Sequence, residues 1–260
     1  MIFYFSANGN SRWAAKTIAE TLNDVAIDMS EAIAGSMNFS IGQDENLGLC
    51  FPVYGWRVPP LVKTFINHMS LKGYSHQYTF ALITAGDTIG ETLEELQTLL
   101  KQSNLHLQAA CSLIMPETYV GLPFMDVDKL SHEEYKKQKA KQTLLQFVEK
   151  IKLHEEDTND VVKGKWPAIN SRLLGGLFYK YLVTDKHFKV DTQKCIQCGK
   201  CAKVCPVGNI DCGSHSFPTW LHTGKCLTCF ACYHHCSVKA IDFGRFTHRK
   251  GQYFYELNNH

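Results

Sequence analysis

From its first residues to about residue 155, the chain alternates short apolar runs with longer stretches in which apolar residues recur every three or four positions. That pattern predicts a parallel sheet covered by helices on both faces. IFYF (2–5) is the first predicted strand, and SRWAAKTIAETL (11–22) places Ala14, Ile18 and Leu22 on one helical stripe. A short second strand is expected at Val25–Asp28 and a buried third at LGLCFPV (47–53). Pro59 and Pro60 then open a helix carrying Leu61, Val62, Phe65 and Ile66, because a first helical turn does not need the N–H that proline lacks. YTFALITA (78–85) makes a fourth strand, and Thr88 with Glu91 predicts a capping box at the head of TIGETLEELQTLLK (88–101). LQAACSLIM (107–115) is the fifth strand. Ser131 and Glu134 are expected to cap a long helix running to about Ile151, with Glu133 paired to Lys137 one turn on. The expected fold is an α/β doubly wound sheet of five parallel strands.

In such a sheet, ligands bind beyond the carboxyl ends of the strands, where the strand order reverses. After the first strand come Ser6, Ala7, Asn8, Gly9, Asn10 and Ser11, small residues leading straight into a helix. Their N–H groups and short side chains, with the helix dipole, suit a phosphate. No G-x-x-x-x-G-K-[ST] and no G-x-G-x-x-G is present, which argues against a P-loop nucleotidase and a Rossmann dinucleotide site. After the third strand the chain reads Pro52, Val53, Tyr54, Gly55, Trp56 and Arg57, and after the fourth Thr84, Ala85, Gly86 and Asp87. Aromatic residues beside glycines suit a planar ring, and a ring with a phosphate points to flavin mononucleotide (FMN). Residues 1–155 resemble the flavodoxin family, whose phosphate loop is usually [ST]-x-T-G-N-[ST]; Asn8 stands where that family usually has threonine. The resemblance implies a flavodoxin-like fold.

The second half has a different rhythm. KCIQCGKCAKVCP (194–206) and KCLTCFACYHHCS (225–237) superpose at an offset of 31, which also aligns Val207 with Val238, Ile210 with Ile241 and Asp211 with Asp242. Runs of this spacing hold cubane clusters, three thiolates coming from one run and the fourth from the other. One [4Fe-4S] cluster is therefore expected on Cys195, Cys198, Cys201 and Cys236, and a second on Cys226, Cys229, Cys232 and Cys205. A pair of structural zinc sites is the alternative, but these usually space two C-x2-C pairs well apart. Residues 188–246 resemble a bacterial two-cluster ferredoxin, except that Ser237 replaces the proline expected after the fourth cysteine, a change that could loosen that turn. Cys50 and Cys111 read as core residues, Cys212 as unligated, and His234 and His235 as surface groups or neighbours of the ligands.

Four segments are thus expected: a flavodoxin-like FMN-binding domain (1–155), a linker and connecting helix (156–187), a two-cluster ferredoxin domain (188–246) and a C-terminal tail (247–260). HEEDTNDVVKGK (154–165) reads as exposed linker, Ile169, Leu173 and Leu177 as the stripe of a helix buried between domains, and GQYFYELNNH (251–260) as a candidate extra strand. A net charge of +2 is too small to make nucleic acid the expected partner. No apolar run reaches the length of a membrane span, and the first residues lack a basic leader. Of eleven cysteines, eight lie within 42 residues at metal-ligand spacing, so reduced thiols in the cytoplasm are expected.

The whole chain resembles the flavodoxin-ferredoxin fusion proteins of anaerobes, the EFR family of ferredoxins. That resemblance implies electron transfer among FMN, two [4Fe-4S] clusters and redox partner proteins, with no nucleic acid and no membrane. Transfer within one chain or between two copies, as in a homodimer, stays open. Two other classes remain: a flavin-dependent reductase of a quinone, nitro compound or other small acceptor, for which Arg57, Asp87 and Glu117 are the polar candidates, and a redox-sensing interaction module.

Overall fold

The structure is a computed structural model and describes residues 1–213 and 216–255. The chain divides into two compact units: Met1–Ser6, Asn10–Pro116 and Leu130–Gly176 form the first, and Ala7–Gly9, Glu117–Lys129 and the chain from Leu177 onward form the second.

The first unit contains β1 (Ile2–Tyr4), α1 (Asn10–Leu22), β2 (Ala26–Asp28), α2 (Met29–Ala34), β3 (Asn38–Ser40), β4 (Leu47–Pro52), α3 (Pro60–His68), β5 (Ser70–Lys72), β6 (Thr79–Ala85), α4 (Thr92–Gln102), β7 (Ala109–Ile114), α5 (Leu130–Lys152) and β8 (Thr158–Asp160). The main sheet has the order β2-β1-β4-β6-β7-β8 with every pair parallel. Five of these strands follow the flavodoxin-like order, in which the first strand lies between the second and third. β1 and β6 are buried throughout, as strands covered on both faces must be, which is why they read as unbroken apolar runs. Pro60 does sit in the first turn of α3, and Lys137 pairs with Glu133 on α5.

Several expectations are corrected. The sheet has a sixth strand, β8, taken from the stretch read as linker; it pairs with Ala109–Cys111. Asn159 and Asp160 are exposed on this edge, where polar residues discourage further pairing but leave no apolar periodicity to detect. β3 and β5 form a small separate parallel pair. The capping box is absent: α4 starts at Thr92 with no side-chain cap, because Thr88 Oγ1 accepts from Trp56 Nε1 and Glu91 binds Arg172. α5 begins at Leu130, ahead of the predicted Ser131 cap. A π-helix, Ile169–Leu174, continues as α6 (Gly175–Tyr181). Its apolar stripe is exposed, at 51% for Ile169, 57% for Leu173 and 45% for Leu177, whereas Ser171 and Gly175 are buried.

The second unit contains β9 (Phe188–Val190), α7 (Lys200–Lys203), β10 (Ile210–Asp211), β11 (Thr219–Trp220), α8 (Ala231–His234) and β12 (Ile241–Phe243). β9 pairs antiparallel with β12 and β10 with β11. The offset of 31 seen in the sequence carries α7 onto α8 and β10 onto β12, so the two halves exchange strands. Phe188, Trp220, Phe230, Tyr233, Ile241 and Phe243 make the core, with Phe188 and Trp220 stacked at 5.3 Å. Residues 251–255 form no strand, and the rest of the tail lies outside the described residues. Among the described residues, no helix is long and apolar enough to cross a membrane.

Candidate cluster site and cofactor loops

Each cysteine run is wound by backbone that turns against its usual preference. Gln197 and Thr228 have φ of 55° and 48°, Gly199 and Phe230 have 69° and 59°, and Gly208 and Lys239 have 58° and 49°, three pairs at the same offset. Left-handed backbone at a bulky residue is unfavourable. At Phe230 the cost is offset by packing: its ring is fully buried against Tyr119, Phe188 and Phe243. The winding turns thiols of both runs inward. Cys205, Cys226, Cys229 and Cys232 line one cavity, walled by Phe188, Ile210, Trp220 and Phe230 among others. Three thiols thus come from the second run and the fourth from the first. Of the other set, Cys201 and Cys236 pack against the same core, while Cys195 is half-buried and Cys198 exposed.

Backbone donors already address these sulfurs. Asn209 N–H reaches Cys205 Sγ at 3.2 Å, Ala240 N–H reaches Cys236 Sγ at 3.2 Å, and Thr228 N–H reaches Cys226 Sγ at 3.4 Å. The first two bonds are again related by the offset of 31. Such bonds stabilise thiolate ligands and tune the potential of what they hold. Burial, and then the neighbouring thiols, push Cys229 up to about 12 and Cys232 well above its usual value. Burial likewise lifts Cys201 and Cys226 to about 11. A cationic cluster would compensate the charge that these thiols resist taking on, and its assembly would release their protons. Among the described residues, no three His, Cys, Asp or Glu side chains are grouped to hold one metal ion. A cubane makes a different demand, since each thiolate binds a different iron.

The supports of this unit were not visible in the sequence. Ser237 keeps the turn that proline was expected to make: Lys239 N–H bonds Cys236 O at 3.0 Å, matching the Gly208 to Cys205 bond at 3.2 Å. Of the two places expected for His234, the surface or beside the ligands, the surface is excluded: the side chain is fully buried, and burial lowers its pKa to about 4. Its Nδ1 accepts from Tyr253 N–H at 3.2 Å, so the protonated Nε2 donates to Thr118 O at 2.8 Å. Lys250 donates to the carbonyls of Val120, Leu122 and Met125. Buried Asp185 binds Asn209 Nδ2 at 2.7 Å and His222 Nδ1 at 2.8 Å; burial would raise its pKa, but these bonds hold it below the usual carboxylate value.

Of the predicted phosphate loop, Asn8 and Gly9 count with the second unit. Asn8 Nδ2 donates to Cys229 O at 2.9 Å, and Asn8 O accepts from Tyr255 N–H at 2.7 Å. Asn8 Oδ1 is buried and finds no partner among the described residues, an acceptor that a ligand hydroxyl or water would satisfy. Gly9 has φ of 92°, and a Cβ there would lie 2.4 Å from Tyr255 O. Gly9→Ala is therefore expected to release the tail; limited proteolysis should show faster cleavage near Tyr255 than in the parent protein.

In the first unit, the hydroxyls of Ser11 and Thr84 share a buried hydrogen bond of 2.8 Å, and Asn10 Nδ2 donates to Pro116 O at 3.1 Å. Beyond Pro52, Val53 N–H bonds Thr84 O at 2.9 Å, and Tyr54 and Arg57 pair across a tight turn. Gly55 and Trp56 at the tip of that turn have φ of 55° and 56°, the type I′ signature. Asp87 Oδ1 caps its own loop by accepting from Thr88 N–H, with Ala85 and Gly86 at the strand end before it. The polar candidates for small-molecule chemistry are engaged separately: Arg57 lies 3.6 Å from Glu95, Asp87 holds Thr88, and Glu117, in the second unit, accepts from Thr118 and Tyr119 N–H.

Residues 187–210 match the model of the 4Fe-4S binding domain, which contains Cys195, Cys198, Cys201 and Cys205. No curated protein matches the chain in sequence. Solved structures with similarity include a candidate flavoprotein from Bacteroides uniformis ATCC 8492, at 20% identity over 44% of this chain and 88% of that one, with a TM-score of 0.35. The Trp repressor binding protein from Bacillus subtilis has 16% identity over 43% of this chain and 82% of its own, with a TM-score of 0.31. Rubredoxin oxygen:oxidoreductase from Desulfovibrio gigas has 16% identity over 57% of this chain and 35% of its own, again with a TM-score of 0.31.

Proposed function

We propose that the protein is a cytoplasmic electron carrier with two [4Fe-4S] clusters and one FMN, exchanging electrons with partner proteins as the EFR-type fusion ferredoxins do. The convergence of Cys205, Cys226, Cys229 and Cys232 on one cavity carries this reading, supported by the match to an iron–sulfur domain. When bound, the clusters supply one-electron steps and the flavin supplies both one- and two-electron steps.

The chain's own residues do the rest. Phe188, Trp220 and Phe230 give the cavity holding one set of thiols apolar walls, and the amides of Asn209, Thr228 and Ala240 would stabilise the thiolates. Cys195, Cys198, Cys201 and Cys236 would hold the other cluster. Ser6, Asn8, Gly9, Asn10 and Ser11 would receive the phosphate, and the loops Pro52–Trp56 and Thr84–Asp87 the ring. The residues present fit a cubane through four thiols with N–H donors. In the phosphate loop Asn8 Nδ2 is already given to Cys229 O, so loop N–H groups would hold the phosphate and the orphaned acceptor Asn8 Oδ1 would take a ligand hydroxyl. A carrier is favoured over a reductase because Arg57, Asp87 and Glu117 are each bound to separate local partners.

Protein purified without oxygen should contain about eight irons, about eight sulfides and about one FMN per chain. Zinc without colour would overturn the cluster assignment, and iron without flavin would overturn the FMN assignment alone.

A further inference from the structure

Ser171 is buried, with 5% of its surface exposed, on a helical segment whose apolar side faces outward. Its Oγ donates to Trp56 O at 2.7 Å and accepts from Glu91 N–H at 2.8 Å. One hydroxyl therefore joins two loops that are far apart in sequence, the turn after β4 and the loop after β6. Beside it, Arg172 grips Glu91 through two bonds of 2.8 and 2.9 Å, the forked geometry that guanidinium and carboxylate favour. One turn further on, a Cβ at Gly175 would lie 2.3 Å from Gly55 O, so only glycine lets the helix approach this closely. Trp56 Nε1 completes the joint by donating to Thr88 Oγ1 at 3.1 Å.

We propose that Ser171, with Arg172 and Gly175, is a positioning clasp that holds the Gly55–Trp56 turn and the Thr88–Glu91 loop in the arrangement that receives the flavin ring. The turn needs such support. Trp56 holds a left-handed backbone that a bulky residue disfavours, and a free two-residue loop would sample other shapes. The clasp engages the Gly55 and Trp56 carbonyls from the side of the helix and holds the Glu91 amide, so both loops are set before any ligand arrives. Preorganisation of this kind raises affinity by lowering the ordering cost of binding. The inference rests on the FMN reading above.

The test titrates FMN into the full-length protein after flavin removal, and follows amide exchange of the flavin-free chain in parallel. Ser171→Ala should weaken FMN binding at least tenfold and speed exchange across residues 54–57 and 88–91, while the sheet strands exchange as before. Arg172→Ala, at a side chain 77% exposed where folding is not at stake, should speed exchange in 88–91 and weaken FMN by a few fold. Unchanged FMN affinity in both variants would overturn the clasp and leave the flavin reading standing, even if Ser171→Ala lowers the unfolding temperature. A parent protein that binds no FMN would overturn both.

Discussion

Replacing Cys205 with alanine should remove the cluster of the second cysteine run, although Cys205 itself lies in the first. Anaerobically purified Cys205→Ala is expected to carry about four irons instead of about eight. Cys205 lines one cavity with Cys226, Cys229 and Cys232, and its sulfur already receives the Asn209 amide at 3.2 Å. Double variants make the crossing explicit. Cys205→Ala combined with Cys226→Ala should lose no more iron than either alone, because both act on one cluster. Cys205→Ala combined with Cys195→Ala should lose nearly all of it. If the second pair behaved like a single variant and the first pair lost everything, each run would hold its own cluster and the crossed assignment would fall.

His234→Leu is expected to be the most damaging substitution outside the ligands. The imidazole joins three segments of the second unit: α8, Thr118 through its carbonyl and Tyr253 through its N–H. Leucine fills similar space but leaves a backbone carbonyl and a backbone N–H without partners at a buried site. Each such orphan costs about 1–3 kcal/mol, so a loss of about 2–6 kcal/mol in unfolding free energy is expected by denaturant titration. Amide exchange should rise in residues 117–129 and 247–255. His234→Gln, which can donate at one end and accept at the other, should recover part of the loss. Equal behaviour of the two variants would show that the ring acts by packing alone.

Both predictions depend on features that the sequence revealed to different depths. The proposed crossing is suggested by the spacing of the cysteines, because a short loop could wrap one cube with three thiols but would have to borrow the fourth. The joint at His234 is not, because its partners lie 116 and 19 residues away and are backbone groups, which carry no residue signature. The same is true of Lys250, whose ammonium is surrounded by three carbonyls of a loop more than a hundred residues earlier.

Periodicity and spacing by themselves determined the parallel sheet, its five principal strands, the helix opened by Pro60 and the duplicated cysteine runs. These are local properties: apolar alternation follows from burial of an element's faces, and ligand spacing from the reach of a short loop. Tertiary structure alone decided the sixth strand, whose polar residues pair only because an edge is offered by Ala109–Cys111. It decided that Thr88 and Glu91 serve Trp56 and Arg172 instead of a helix cap, since a side chain with several acceptors bonds the donor the fold brings nearest. It also turned the Ile169–Leu173 stripe outward, because Ser171 and Gly175 offer a closer fit to the loops beneath than any apolar side chain could.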